Sequence, residues 1–256
     1  RSPSRGLGDV YKRQLYNQLL YIFAEEAGKK INNVLTPKEV IGLVAELIGD
    51  NKDNNSLCDP VSGSGTLLVE VGKRVGIRGA NIFGQEANWN QYALTKMNLM
   101  LNGFKDSTFF WGDSLSNPKL TDDGGLKRFD IVASIPPFAD KWATEEAEFD
   151  RYGRFQYGIP PRSQATWAYI SHILASLKPN GRAVVVVPAG VLFRISESKI
   201  RHQIIEHNLL ETVIELPQNL FYGAAISTAI LVFRKDRKTT QTLFCLLYTS
   251  PSPRDG

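Results

Sequence analysis

From residue 33 to residue 244, two kinds of apolar pattern alternate along the chain. Short runs rich in Val, Ile and Phe, bounded by Gly, Asn, Asp and Pro, predict strands at residues 56–59, 81–86, 108–112, 129–133, 183–188, 212–216 and 228–233. Between them, apolar residues spaced three and four apart predict helices over 37–48, 65–75, 91–101, 166–176 and 198–207. Strands and helices in alternation at this spacing specify an α/β fold with a mainly parallel, seven-stranded sheet and helices on both faces. The last two strands are joined by a loop with no helix, which predicts an antiparallel hairpin at the C-terminal side of the sheet. The helix at 37 carries a start signal, with Thr36 as N-cap, Pro37 at the first helical position and Glu39 closing a capping box. Upstream, residues 15–27 place Leu19, Leu20, Ile22 and Phe23 at helical spacing. We read residues 15–32 as the remnant of a preceding helical domain.

The 256 residues are 43% hydrophobic and 22% charged, which suits a globular domain. No apolar run approaches the roughly 20 residues of a membrane span, and no leader peptide is visible, so a cytoplasmic protein without a membrane partner is expected. The two ends stand apart. Residues 4–14 read SRGLGDVYKRQ and residues 245–255 read CLLYTSPSPRD. A back-translation of the second, reverse-complemented and shifted in frame, encodes the first. Residues 1–14 and 245–256 are therefore expected to be translated sequencing adapter, flanking a single domain at 33–244. The tails hold five of the 30 Lys and Arg and two of the 26 Asp and Glu, so residues 15–244 carry a net charge of only +1. That near-neutral balance gives no argument for nucleic-acid binding from charge. It also leaves Cys58 as a lone cysteine, from which neither a disulfide nor a zinc site can be built.

Candidate chemistry sits at successive strand ends. Asp59-Pro60-Val61-Ser62-Gly63-Ser64-Gly65-Thr66 leaves an apolar strand and opens a helix. Glycines there let the backbone approach a ligand, and a helix start offers N–H donors. The segment lacks the Gly-Lys-Ser/Thr end of a phosphate-binding loop and the G-x-G-x-x-G spacing of a dinucleotide turn. Glu86 ends the second strand, where this architecture grips ribose hydroxyls. Asp113 ends the third, placed to accept from an exocyclic amine. The fourth ends in Ile135-Pro136-Pro137-Phe138, a stiff extended loop with no N–H donors at the two prolines. Singly, each is an ordinary strand end or turn; at consecutive strand ends on one side of a sheet they describe a ligand site.

In this context residues 57–138 resemble a class I methyltransferase fold carrying the adenine-N6 motif, usually Asn/Asp-Pro-Pro-Tyr/Phe. Downstream, the segments at 154–161 (RFQYGIPP), 188–194 (PAGVLFR), 208–211, 216–223 (LPQNLFYG) and 226–233 resemble the modification subunits of type I restriction–modification systems. The resemblance covers roughly residues 33–238. It implies S-adenosylmethionine over the turn at Gly63, Ser64, Gly65 and Thr66, with Asp59 beside it, Glu86 on the ribose and Asp113 on the adenine. Leu35, Thr36, Pro37 and Lys38 would close over the methionine end. A target adenine would be flipped from the duplex and stacked on Phe138, with Phe221 as a second stacking partner and Tyr222 as its substitute. The implied partners are double-stranded DNA, a specificity subunit that reads sequence, and a restriction subunit.

The chain departs from this pattern at one position. Ile135 stands where the motif needs a polar acceptor, and Ile has none. Asn to Ile is a single A-to-T change in a codon. Ser134 offers a hydroxyl one residue away as a substitute acceptor. Two other readings stay open: a pseudo-methyltransferase kept as an assembly scaffold, and a class I methyltransferase acting on protein glutamine or on RNA. A nicotinamide-dependent dehydrogenase is disfavoured by the glycine spacing and the Pro-Pro motif.

Overall fold

Strand burial follows directly from the apolar runs. The computed structural model describes residues 11, 15, 36–49, 55–221 and 226–247. The elements run α1 (Lys38–Ile48), β1 (Leu57–Asp59), α2 (Thr66–Val75), β2 (Ile82–Glu86), α3 (Trp89–Leu101), β3 (Thr108–Trp111), β4 (Thr121–Asp122), β5 (Gly125–Leu126) and β6 (Phe129–Ser134). They continue with α4 (Glu145–Glu148), α5 (Thr166–Ala175), β7 (Leu177–Pro188), α6 (Ser198–Glu206), β8 (Leu210–Glu215), β9 (Thr228–Arg234) and β10 (Leu243–Leu246). The helical stretch expected at 15–27 lies outside the described residues apart from Leu15.

One eight-stranded sheet organises the molecule, in the order β10-β8-β9-β7-β6-β1-β2-β3. Strands β1, β2, β3, β6 and β7 pair in parallel. Strand β9 inserts antiparallel between β7 and β8, which forms the expected hairpin. Strand alternation then divides the core. Ile131, Ala133, Val184, Val186, Ile230 and Val232 face one way, against α1, α2 and α3. Val132, Ala183, Val185, Val187, Leu231 and Phe233 face the other, against α5 and α6. A sheet covered by helices on both faces requires central strands that are apolar on both sides, as β6, β7 and β9 are.

Four details differ from the sequence expectation. Helix α1 begins at Lys38, with Pro37 as its cap residue at ψ 142° and no side chain capping the first turn. Thr36 and Glu39 therefore form no capping box; Pro37 keeps the extended ψ common for proline and hands the start to the next residue. Helix α3 begins two residues earlier than predicted because Asn88 caps it, its Oδ1 accepting from the N–H groups of Asn90 (2.9 Å) and Gln91 (3.1 Å). An eighth strand, β10, adds in parallel to the sheet edge beside β8 and straddles residue 244. The small β4–β5 hairpin was also unforeseen, although its Asp123-Gly124 turn, with φ of 46° and 82°, has the sequence signal for one.

Phe129 is 1% exposed and packs on Phe83 with ring centroids 5.1 Å apart. Phe129→Ala is expected to lower unfolding free energy by about 3–5 kcal/mol, measured by urea denaturation. Strand β10, by contrast, leaves Leu243, Phe244 and Leu246 largely exposed. A chain ending at Phe244 should melt within about 4 °C of the full chain; a larger drop would show that residues 245–247 contribute to the fold.

Candidate active site

Parallel strands deliver their carboxyl ends to one side of the sheet, and Asp59, Glu86, Asp113 and the loop from Ile135 to Phe138 follow or end strands there. After β1 the chain turns through Ser62–Gly65, closed by a 2.8 Å hydrogen bond from the Gly65 N–H to the Ser62 carbonyl. Gly63 and Gly65 hold φ of 56° and 74°. A Cβ on Gly65 would lie 2.6 Å from the Thr95 methyl, so only glycine lets α3 come this close. At Gly63 a Cβ would meet nothing within 4 Å, so the turn presents open space on that side.

Two buried polar residues of α3 grip the turn. Thr95 Oγ1 donates to the Gly63 carbonyl at 2.5 Å and Asn98 Nδ2 to the Ser64 carbonyl at 3.2 Å. Ser64 and Thr66 share a hydroxyl–hydroxyl bond of 2.9 Å. Sequence reasoning missed Thr95 and Asn98. Their signal was two polar residues three apart on the face of a helix that must pack inward.

Glu86 takes the Gly63 N–H on Oε2 and the Asn88 N–H on Oε1, both at 2.8 Å. Burial raises its pKa, these N–H groups oppose that, and the charge of Asp113 adds to it. Asp113 follows β3 and accepts from the Leu115 N–H at 2.9 Å and the Ser116 hydroxyl at 3.0 Å. Gln85, 1% exposed, holds the same loop by donating to the Asn117 carbonyl and accepting from the Lys119 N–H. Asp140, just beyond the Pro-Pro motif, is raised by burial and then by Asp113. The Tyr169 hydroxyl of α5 is raised by burial and then by Asp113, Asp140 and Glu86. Asp140 and Tyr169 carried no sequence signal, because only tertiary packing brings them to the acids.

Asp59 is 2% exposed. Its Oδ1 accepts from Ser134 Oγ at 2.7 Å and from the Val61 N–H at 3.0 Å. Burial pushes its pKa up to about 7 against these two bonds, with a further push from Glu86. Ser134 is itself fully buried and donates its hydroxyl hydrogen to Asp59. Ile135 and Phe138 are half-buried and pack against the α1–α2–α3 side of the core, while Pro136 is buried. Phe138 meets Phe221 edge-to-face, ring centroids 5.4 Å apart at 80°. Phe221 is 2% exposed and forms a wall behind Phe138. Thr36, Pro37 and Lys38 stand at the head of α1, and no hydrogen bond among the described residues joins them to the glycine turn; Leu35 and Tyr222 lie outside the described residues.

The donor set can be matched to a ligand by charge. Asp59, Glu86, Asp113 and Asp140 repel one another electrostatically, so the cleft suits a cation bearing hydroxyls and an amine, and not a pyrophosphate. S-adenosylmethionine, a sulfonium nucleoside with an ammonium group, fits these acceptors. Among the described residues no helix is long and apolar enough to cross a membrane.

Residues 7–250 match the family described as N-6 DNA Methylase. The chain is 30% identical over 243 residues to the type I restriction enzyme MpnII methylase subunit of Mycoplasma pneumoniae, covering 90% of this chain and 45% of that one. It is 33% identical over 242 residues to the MjaVIII methylase subunit of Methanocaldococcus jannaschii, covering 90% and 40%. The crystal structure of the type I restriction-modification system methyltransferase subunit from Streptococcus thermophilus superposes with a TM-score of 0.81 at 29% identity, over 91% of this chain and 52% of that one. The chain thus spans about half the length of the relatives it matches. With its α/β sheet and strand-end acids in the order the sequence predicted, it belongs to the N-6 DNA methylase family, the family of the type I modification subunits.

Proposed function

We propose that this chain carries the cofactor-binding and methyl-transfer core of a DNA adenine-N6 methyltransferase, as part of the modification subunit of a type I restriction–modification system. In this reading Ile135 impairs transfer while cofactor binding is retained. The observation that carries it is the hydrogen bond from Ser134 to Asp59, which fastens the catalytic loop to the cofactor turn.

When bound, S-adenosylmethionine supplies an electrophilic methyl group. Glu86 meets the backbone N–H groups of Gly63, Asn88 and Ala87, and Asp113 meets the Leu115 N–H and the Ser116 hydroxyl, so each carboxylate keeps a lone pair for a ribose hydroxyl or an adenine amine. The turn at Gly63–Thr66 would hold the cofactor, and Leu35, Thr36, Pro37 and Lys38 would close over its methionine end. Asp59 would contribute negative charge toward the cofactor's ammonium. Phe138 stacks on the flipped adenine, with Phe221 bracing its edge. The Pro136 carbonyl accepts one N6 hydrogen, and the residue at 135 should accept the other to free the nitrogen lone pair. Ile135 cannot, and its packing against the apolar core favours the second reading, a scaffold that binds cofactor without turning over. Double-stranded DNA is engaged together with a specificity subunit, and a restriction subunit completes the nuclease.

Loss of one positioned polar group at a reacting centre lowers rate by about 10²–10³-fold. Ile135→Asn is therefore expected to raise kcat by that factor, with a specificity subunit supplied, and to leave the calorimetric Kd for S-adenosylmethionine unchanged. Equal turnover of the two forms would remove Ile135 as the cause, and a folded chain that fails to bind cofactor in either form would remove the whole reading.

Asp59 gives a pH prediction. Its folded value of about 7 lies above the unfolded carboxylate value of about 4, so the folded state binds the proton more tightly. The stability this confers is complete below the unfolded value, declines as pH rises through the folded value, and is absent above it. Asp59→Asn keeps the Oδ1 acceptor for Ser134 and Val61 and removes the charge. It should stabilise the ligand-free chain at pH 8 by up to about 4 kcal/mol and have little effect at pH 4. It should also weaken cofactor binding at pH 8. A stability difference that is the same at both pH values would contradict the assignment.

A further inference from the structure

We infer that Arg154 is a positioning residue for the cofactor acid Asp113, and so joins the loop that follows the catalytic motif to the cofactor site. The inference rests on the reading that Asp113 accepts from the cofactor's adenine amine. Arg154 is 3% exposed, in the loop between α4 and α5. Its Nη1 donates to the carbonyls of Leu115 at 2.8 Å and Ser114 at 3.2 Å. Those two residues directly follow Asp113. The Leu115 N–H holds Asp113 Oδ1 at 2.9 Å, and the Ser114 hydroxyl donates to the Pro60 carbonyl in the cofactor turn. The guanidinium thus fixes, from the far side, the peptides whose near side sets the direction of the carboxylate.

The cation is itself held in place. Asp150, with a 4% exposed side chain, accepts from Arg154 Nε at 2.8 Å and from the Arg154 N–H at 2.6 Å. His172 Nδ1 lies 3.4 Å from Nη1, and burial followed by the arginine charge pushes its pKa down to about 3, so it stays neutral. The rings of Tyr152 and Phe155 lie against the guanidinium at 5.5 and 5.2 Å. A buried ion pair is tolerated when its remaining donors are satisfied. The planar fork of arginine reaches a carboxylate and two carbonyls at once, which the single ammonium of lysine does not. A clamp needed only for folding would be indifferent to which carbonyls it met; this one meets the turn that carries Asp113.

The test is a double-mutant cycle read by calorimetric binding of S-adenosylmethionine to the full chain. Arg154→Met strands Asp150 and endangers folding, so Arg154→Lys is the working variant, since it keeps a cation for Asp150. Asp113→Ala should weaken binding by about tenfold or more, and Arg154→Lys by about five- to tenfold, with the ligand-free melting temperature of Arg154→Lys little changed. The double variant should bind no more weakly than Asp113→Ala alone. A cofactor analogue without the exocyclic amine should bind the parent and Arg154→Lys equally, a readout that does not depend on the Asp113 variant folding. Unchanged binding by Arg154→Lys, losses that multiply in the double variant, or an equal loss for the analogue overturns the proposal. If Asp113→Ala binds like the parent, the adenine contact itself is wrong, and the proposal falls with it.

Discussion

Parallel pairing of β1 with β6 sets Asp59 and Ser134 side by side at the carboxyl ends of two central strands, and the hydrogen bond between them joins the two halves of the site. Asp59 begins the turn that carries Gly63, and Ser134 directly precedes Ile135-Pro136-Pro137-Phe138. Neither loop has regular structure to fix it. Prolines 136 and 137 offer no N–H groups to a neighbour, so their anchorage comes from the strand behind them and from the packing of Phe138 on Phe221. A buried bond of this kind gains strength from low local polarity, and the same low polarity makes Asp59 hard to ionise.

The acids beyond Asp59 extend that tension across the cleft. Glu86, Asp113 and Asp140 are each raised by burial, or act to raise a neighbour. The fold tolerates this because backbone N–H groups meet Glu86 and Asp113, while Thr95, Asn98 and Gln85 occupy the carbonyls and N–H groups of the surrounding loops. In the proposed reading, the negative charge gathered there is met by the cationic cofactor.

Ile135 illustrates how local packing and chemistry can diverge. An isoleucine at that position is comfortable beside the α1–α2–α3 side of the core, with which it packs. The fold accommodates it; the proposed chemistry at the adenine amine does not. In the proposed reading, the consequence of Ile135 therefore concerns rate and not folding or cofactor affinity.

The seven strands, five principal helices, the terminal hairpin and the order of Asp59, Glu86 and Asp113 at strand ends were all legible in the sequence. Hydrophobic period and turn residues are local properties, and a parallel sheet places every strand end on the same side. Other features were decided by tertiary structure. Thr95 and Asn98 become turn-holders only because Gly65 lets α3 approach. Asp140, Tyr169 and Arg154 reach the site from residues far along the chain. Phe221 reads as a ring able to stack on a base, yet packing makes it the wall behind Phe138. Residue type and spacing report what a segment can do on its own. Which buried polar group meets which partner depends on contacts between distant segments, and those exist only once the sheet has assembled.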